Sequence, residues 1–175
     1  MQVVELHTFA IDSLSVGQRP EPRPGPGQVL VRVRACSLNY RDLLVMKGLY
    51  NKKLPLPLVP LSDGAGEVAA VGDGVTRVRV GDRVAGCFMP EWIDGEPTEA
   101  KAKSAPGAGG TGMLAEYVLL PAEGVVRSPD HLSDEEAATL PCAAVTAWHA
   151  LVTEGGVKAG DVVLTQGTGG VSVFA

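Results

Sequence analysis

At 175 residues, 45% hydrophobic and 20% charged, the chain has the composition of a globular protein with apolar material for one domain, or one and part of another. A net charge of -5 without a basic cluster argues against a nucleic acid or an anionic membrane surface as partner, and no run approaches the ~18 consecutive apolar residues of a membrane span. Cys36, Cys87 and Cys142 are odd in number and form no C-x-x-C pair, and the amino terminus carries no secretory pattern, so a cytoplasmic location is expected.

Taken in chain order, residues 1–6 open directly into a strand-like pattern. The Pro- and Gly-rich turn at 22–27 introduces residues 28–35, whose alternation of apolar and polar side chains predicts a half-buried strand. Residues 39–47 read as a short helix or turn with polar residues at its start. Residues 65–72 are a second such strand, and within 78–85 a turn at Gly81-Asp82 feeds a third. The Gly-, Pro- and charge-rich stretch 90–112 is expected to be a surface excursion, and residues 115–120 supply a fourth strand. Many short strands with regular turns predict a compact barrel or sandwich up to about residue 126.

The pattern then changes. Ser133-Asp134-Glu135-Glu136 has the spacing of a capping box and predicts a helix start. Pro141 interrupts that helix or opens another, and a second helix is expected over 146–152, ending at Gly155-Gly156. A turn at 158–161 leads into an expected buried strand over 161–166. Gly167, Thr168, Gly169, Gly170 and Val171 follow at once. A strand, a glycine turn and a helix start are the parts of a dinucleotide-binding unit: the first glycine allows a tight turn, and the second lets the backbone approach a pyrophosphate. Ser172 stands where a third glycine is usual. The helix terminus offers free N–H groups to phosphates.

Residues 38–42 (LNYRD), 62–68 (SDGAGEV), 81–84 (GDRV), 115–118 (AEYV), 140–148 (LPCAAVTAW) and the glycine turn together resemble the medium-chain dehydrogenase/reductase superfamily, in order and in spacing. Within it, the chain is most similar to the zinc-free quinone oxidoreductase branch and its bacterial alcohol-dehydrogenase-like relatives. The resemblance implies an α+β to α/β chain: a GroES-like β-barrel catalytic domain over 1–126, then over 127–175 a helical connection and the start of a truncated Rossmann domain. The active site would lie in the cleft between the two domains. It also implies NADP as cofactor, with NAD possible, a small-molecule substrate, and a homodimer in a full-length parent.

Zinc-dependent members of the superfamily hold the catalytic metal with Cys, His and Cys. Here Asn39 stands at the first cysteine, Ser62 at the histidine and Asp63 at the glutamate that usually follows it. Only Cys142 matches a ligand. The structural zinc lobe has Cys87 alone, so no zinc is expected at either site. A carbonyl must then be polarised by hydrogen-bond donors and desolvation, which suits quinones and conjugated enones.

The resemblance makes Asn39 and Tyr50 the catalytic residues and Thr146 a nicotinamide contact. Asn39 also suits a helix cap, and one residue can do both. Tyr50 could equally anchor a loop. Asp42 is read as structural, pairing with Arg41 or a neighbour, Ser62-Asp63 as a turn with local backbone hydrogen bonds, and Cys142 as a small buried thiol near the cofactor. Two other functions stay open: a catalytically inactive fragment or scaffold, and an alcohol dehydrogenase acting on an unknown alcohol.

Overall fold

The computed structural model describes residues 1–175. Its centre is β3 (Gln28–Ser37), flanked by β4 (Asp63–Val71) and β6 (Tyr117–Pro121). The sheet continues through β5 (Arg83–Gly86) to β7 (Val125–Arg127), in the order β6-β3-β4-β5-β7. Every pairing is antiparallel. A two-stranded sheet of β1 (Gln2–Leu6) and β2 (Leu14–Gln18) joins it through a bridge from Val3 to Ala115, just before β6.

Branched side chains fill the space that the sheet encloses. Val29, Val31, Val68, Val84, Val118 and Val125 form the main core with Leu61, Leu120 and Met113, each at most 4% exposed. β3 is buried more deeply than its alternation implies, because Leu30 on its other face is covered as well. Between Val33 and Ala35 the register of β3 against β4 shifts. Gly66 lies opposite this irregularity, and a Cβ there would stand 2.0 Å from the Arg32 carbonyl oxygen. The close approach of the two backbones requires a residue without a side chain.

The helical stretch follows its capping signal. Ser133 Oγ accepts from the Glu136 N–H at 3.2 Å, Glu136 Oε2 accepts from the Ser133 N–H at 2.8 Å, and α3 (Asp134–Ala138) begins. Arg83 anchors its start, donating to Asp134 Oδ1 at 2.9 Å and to the Leu132 carbonyl at 2.7 Å. Small side chains bring α3 onto the sheet, where Ala137 and Ala138 pack with Ala65 and Ala85. The expected second helix is composite: a π-helical turn over Leu140–Ala144 that contains Pro141, then α4 (Val145–Trp148), then a second π-helical turn over His149–Glu154.

The turn at Gly81-Asp82 feeds β5 from Arg83, as expected, and two other expectations change. The excursion at 90–112 carries one short helix, α2 (Glu99–Lys103), and its return leg is buried at Ala105, Pro106 and Gly107. Residues 161–166 are not a strand. Strand hydrogen bonds lie with neighbours, and none is beside this segment, where Val162 is 98% and Leu164 86% exposed. No helix is long and apolar enough to cross a membrane.

Candidate active site

Two loops and the helical stretch deliver their polar residues to one place. β3 runs out into α1 (Tyr40–Met46), and Asn39, in extended conformation, is its N-cap. The Asn39 N–H donates to Asp42 Oδ2 at 2.8 Å, which turns the Asp42 carboxylate back toward the helix start. Asp42 therefore forms no pair with Arg41: it satisfies the cap, and only 2% of it is exposed.

Asp63 opens β4 and is fully buried. Ser62 Oγ donates to its Oδ1 at 2.8 Å, a side-chain bond at the start of a strand in place of the expected turn with local backbone hydrogen bonds. The Cys142 N–H donates to its Oδ2 at 3.0 Å, which ties the helical stretch to the sheet. Asn39 Nδ2 lies close enough to favour the Asp63 carboxylate but outside hydrogen-bond geometry, and this buried donor has no partner.

Burial dominates the proton affinities here. It raises the Asp42 carboxyl above the ordinary carboxylate range, against the opposing pull of the Asn39 N–H and the Arg41 charge. Asp63 is raised by burial too, although Ser62, Asn39 and Cys142 all favour its charged form. The Cys36 thiol is pushed up to about 11, first by burial and then by the two aspartates. Cys142 is raised by burial and by Asp63. These thiols are therefore weak nucleophiles.

Arg41 occupies the next step along α1. Its Cζ lies 4.8 Å from the centroid of Phe88 and 5.0 Å from that of Tyr50, so the cation sits between two aromatic rings. Its Nη1 donates to the Pro106 carbonyl at 3.1 Å. Its Nε and Nη2 are buried and unpartnered.

A cleft of about 680 Å³ opens between the sheet and the helical stretch, lined by Phe88, Met89, Trp92, Val126, Cys142 and Thr146 among others. Its walls are mostly apolar and its size suits a small organic ligand. Thr146 faces this cleft beside Cys142, and Tyr50 reaches the neighbourhood through Arg41. Of the expected site residues only Thr146 lines the cleft: Asn39 and Tyr50 lie outside its lining, behind Asp63 and Arg41. Beyond them, α5 (Gly170–Phe174) follows the glycine turn, and a Cβ on Gly170 would meet that of Ala143 at an ordinary 3.4 Å. Gly167 has φ +85, and nothing crowds it or Gly169. Left-handed backbone and open space are what a phosphate-cradling turn needs. Gly167, Thr168, Gly169, Gly170 and Val171 are all exposed.

The same neighbourhood does not suit a metal. No three His, Cys, Asp or Glu side chains converge to hold one, and both oxygens of Asp63 are already engaged. Reading the sequence missed Arg41 and Phe88, because only the fold brings the LNYRD segment against the loop after β5. It also missed the reach of Asp63 to Cys142, 79 residues away.

Residues 25–130 match the family described as Alcohol dehydrogenase GroES-like domain. A zinc-type alcohol dehydrogenase-like protein of Schizosaccharomyces pombe is 51% identical over 152 residues, 86% of this chain and 44% of the relative. Among solved structures, a Sinorhizobium meliloti 1021 protein assigned as an alcohol dehydrogenase superposes with a TM-score of 0.91 at 46% identity, covering 99% of this chain and 52% of that one. The quinone oxidoreductase of Coxiella burnetii gives 0.74 at 30% identity, covering 92% and 47%. The chain spans about half the length of these relatives. With its curled antiparallel sheet and a match over more than half its length, the chain belongs to the alcohol dehydrogenase GroES-like family of the medium-chain dehydrogenase/reductase superfamily.

Proposed function

We propose that this chain forms the substrate-binding part of an NADP(H)-dependent oxidoreductase, with NAD as the alternative cofactor, that reduces a quinone, enone or related carbonyl without zinc. One observation carries the reading: Asn39 Nδ2 is a buried donor with no partner, in a neighbourhood whose carboxylates and thiol do not assemble a metal site. A fixed donor beside the apolar cleft would polarise a carbonyl oxygen that reaches it at little reorganisation cost.

The other residues take supporting roles. Tyr50, half exposed at the outer side of Arg41, offers a second hydroxyl donor. Thr146 on the cleft wall would contact the nicotinamide, and Gly167, Thr168, Gly169, Gly170 and Val171 would hold the diphosphate. The bound dinucleotide supplies the hydride. The apolar walls keep water from the reacting carbon, and a conjugated acceptor spreads the arriving charge, so a solvent proton can complete the reduction.

A steady-state assay of the full-length parent tests this. NADPH oxidation with a panel of quinones and enones is expected to continue undiminished after exhaustive chelation. Activity that disappears on chelation and returns with added zinc would establish instead the alcohol dehydrogenase reading, which the name of the fission-yeast relative favours.

A further inference from the structure

We propose that the Nε–Nη2 edge of Arg41 is a seat for a carboxylate, so that the substrate is a carbonyl compound that also bears a carboxylate group. The proposal rests on the reductase reading above and adds the class of substrate. Its starting point is an imbalance on the page. A guanidinium carries five N–H donors and no acceptor, yet this one makes a single hydrogen bond, from Nη1 to the Pro106 carbonyl. Nε and Nη2 are both buried and both free.

These two atoms form one side of the planar fork, and their parallel N–H bonds match the two oxygens of a carboxylate. An arginine beside two aspartates would ordinarily spend that side on one of them. Asp42 is adjacent in sequence, but its carboxylate is turned to the Asn39 N–H. Asp63 is held by Ser62 and Cys142. Neither aspartate closes the fork.

The surroundings fix the fork in place. Phe88 and Tyr50 stack against the guanidinium and the Pro106 carbonyl holds its far end. Phe88 also lines the cleft, whereas Tyr50 is half exposed.

The experiment uses the 175-residue chain and levulinate (4-oxopentanoate), with methyl levulinate as the neutral twin of the same shape. Levulinate is expected to shift the Arg41 Nε–H signal in proton–nitrogen spectra and the Tyr50 ring signals in proton–carbon spectra, both along a saturable curve. The ester should need at least about tenfold higher concentration, the range of a charge-assisted bond. Arg41→Lys keeps the charge but removes the fork, and Arg41→Gln removes both. Both are expected to abolish the saturable shift while the amide spectrum stays folded. Equal affinity for acid and ester would overturn the proposal, as would unchanged levulinate affinity in a folded Arg41→Lys chain. The comparison of acid and ester in the unaltered chain decides the matter even if a variant fails to fold. No cofactor or turnover enters this titration, so its failure leaves the zinc-free reductase reading standing. Loss of activity on chelation would strike that reading alone.

Discussion

Asp42 and Asp63 show how burial and function pull against each other in single residues. Each carboxyl is held by hydrogen bonds that favour its charged form, and each is nonetheless raised in proton affinity because desolvation is the larger effect. The folded chain thus binds these protons more tightly than the unfolded one. Their contribution to stability is complete below the ordinary carboxylate range and is lost as pH rises through the raised folded-state values. Urea midpoints from about pH 4 to about pH 7 should therefore fall more steeply in the native chain than in an Asp42→Asn, Asp63→Asn variant. Equal slopes would mean that neither group titrates abnormally. The free donors of Arg41 and Asn39 weigh on stability in the same way, since a buried unsatisfied donor costs about 1–3 kcal/mol and a charged one more. Of these residues, Asn39 and Cys142 were legible in the sequence through the motifs that contain them. The bond between Asp63 and Cys142 was not, because no local periodicity connects partners so far apart in the chain.

Among the elements, those with a local signal were read correctly and those that depend on neighbours were not. The capping box at Ser133 and the alternating run of β3 are written in adjacent residues, and both elements appear where expected. Residues 161–166 have the valines of a strand but no partner, and the excursion at 90–112 hides a buried return leg that its composition conceals. The close backbone approach at Gly66 was not read from the sequence, although a glycine inside a strand pattern can signal it. With the Arg32 carbonyl 2.0 Å from where a Cβ would stand, Gly66→Ala must push β3 and β4 apart. A loss of about 2 kcal/mol or more is expected by equilibrium unfolding, and a change within error would show that the strands yield freely.

At the scale of the whole molecule the two ends of the chain differ in kind. The sheet and α3 enclose a continuous core, whereas the residues from Val162 onward place Val162, Leu164, Val173 and Phe174 at the surface. Exposed apolar side chains beside unpaired backbone invite association. Sedimentation velocity of the 175-residue chain should show species that grow with concentration. Replacing Val162 and Leu164 by lysine should restore a single slow boundary, and persistent growth in that variant would locate the adhesive surface elsewhere. The same surface is what the scaffold reading would use, and the assay of the full-length parent separates it from the catalytic one.

The hydrogen bond from the Cys142 N–H to Asp63 acts as a tether. Together with Ala137 and Ala138, which pack on the sheet, it fastens the chain up to Cys142 to the barrel. On the proposed nucleotide-binding reading, any opening and closing would pivot beyond that amide, in the stretch where the π-helical turns interrupt the regular helix ladder. The polar cluster around Asn39 would ride unchanged through such a swing, and the wall bearing Thr146 would be the one that moves.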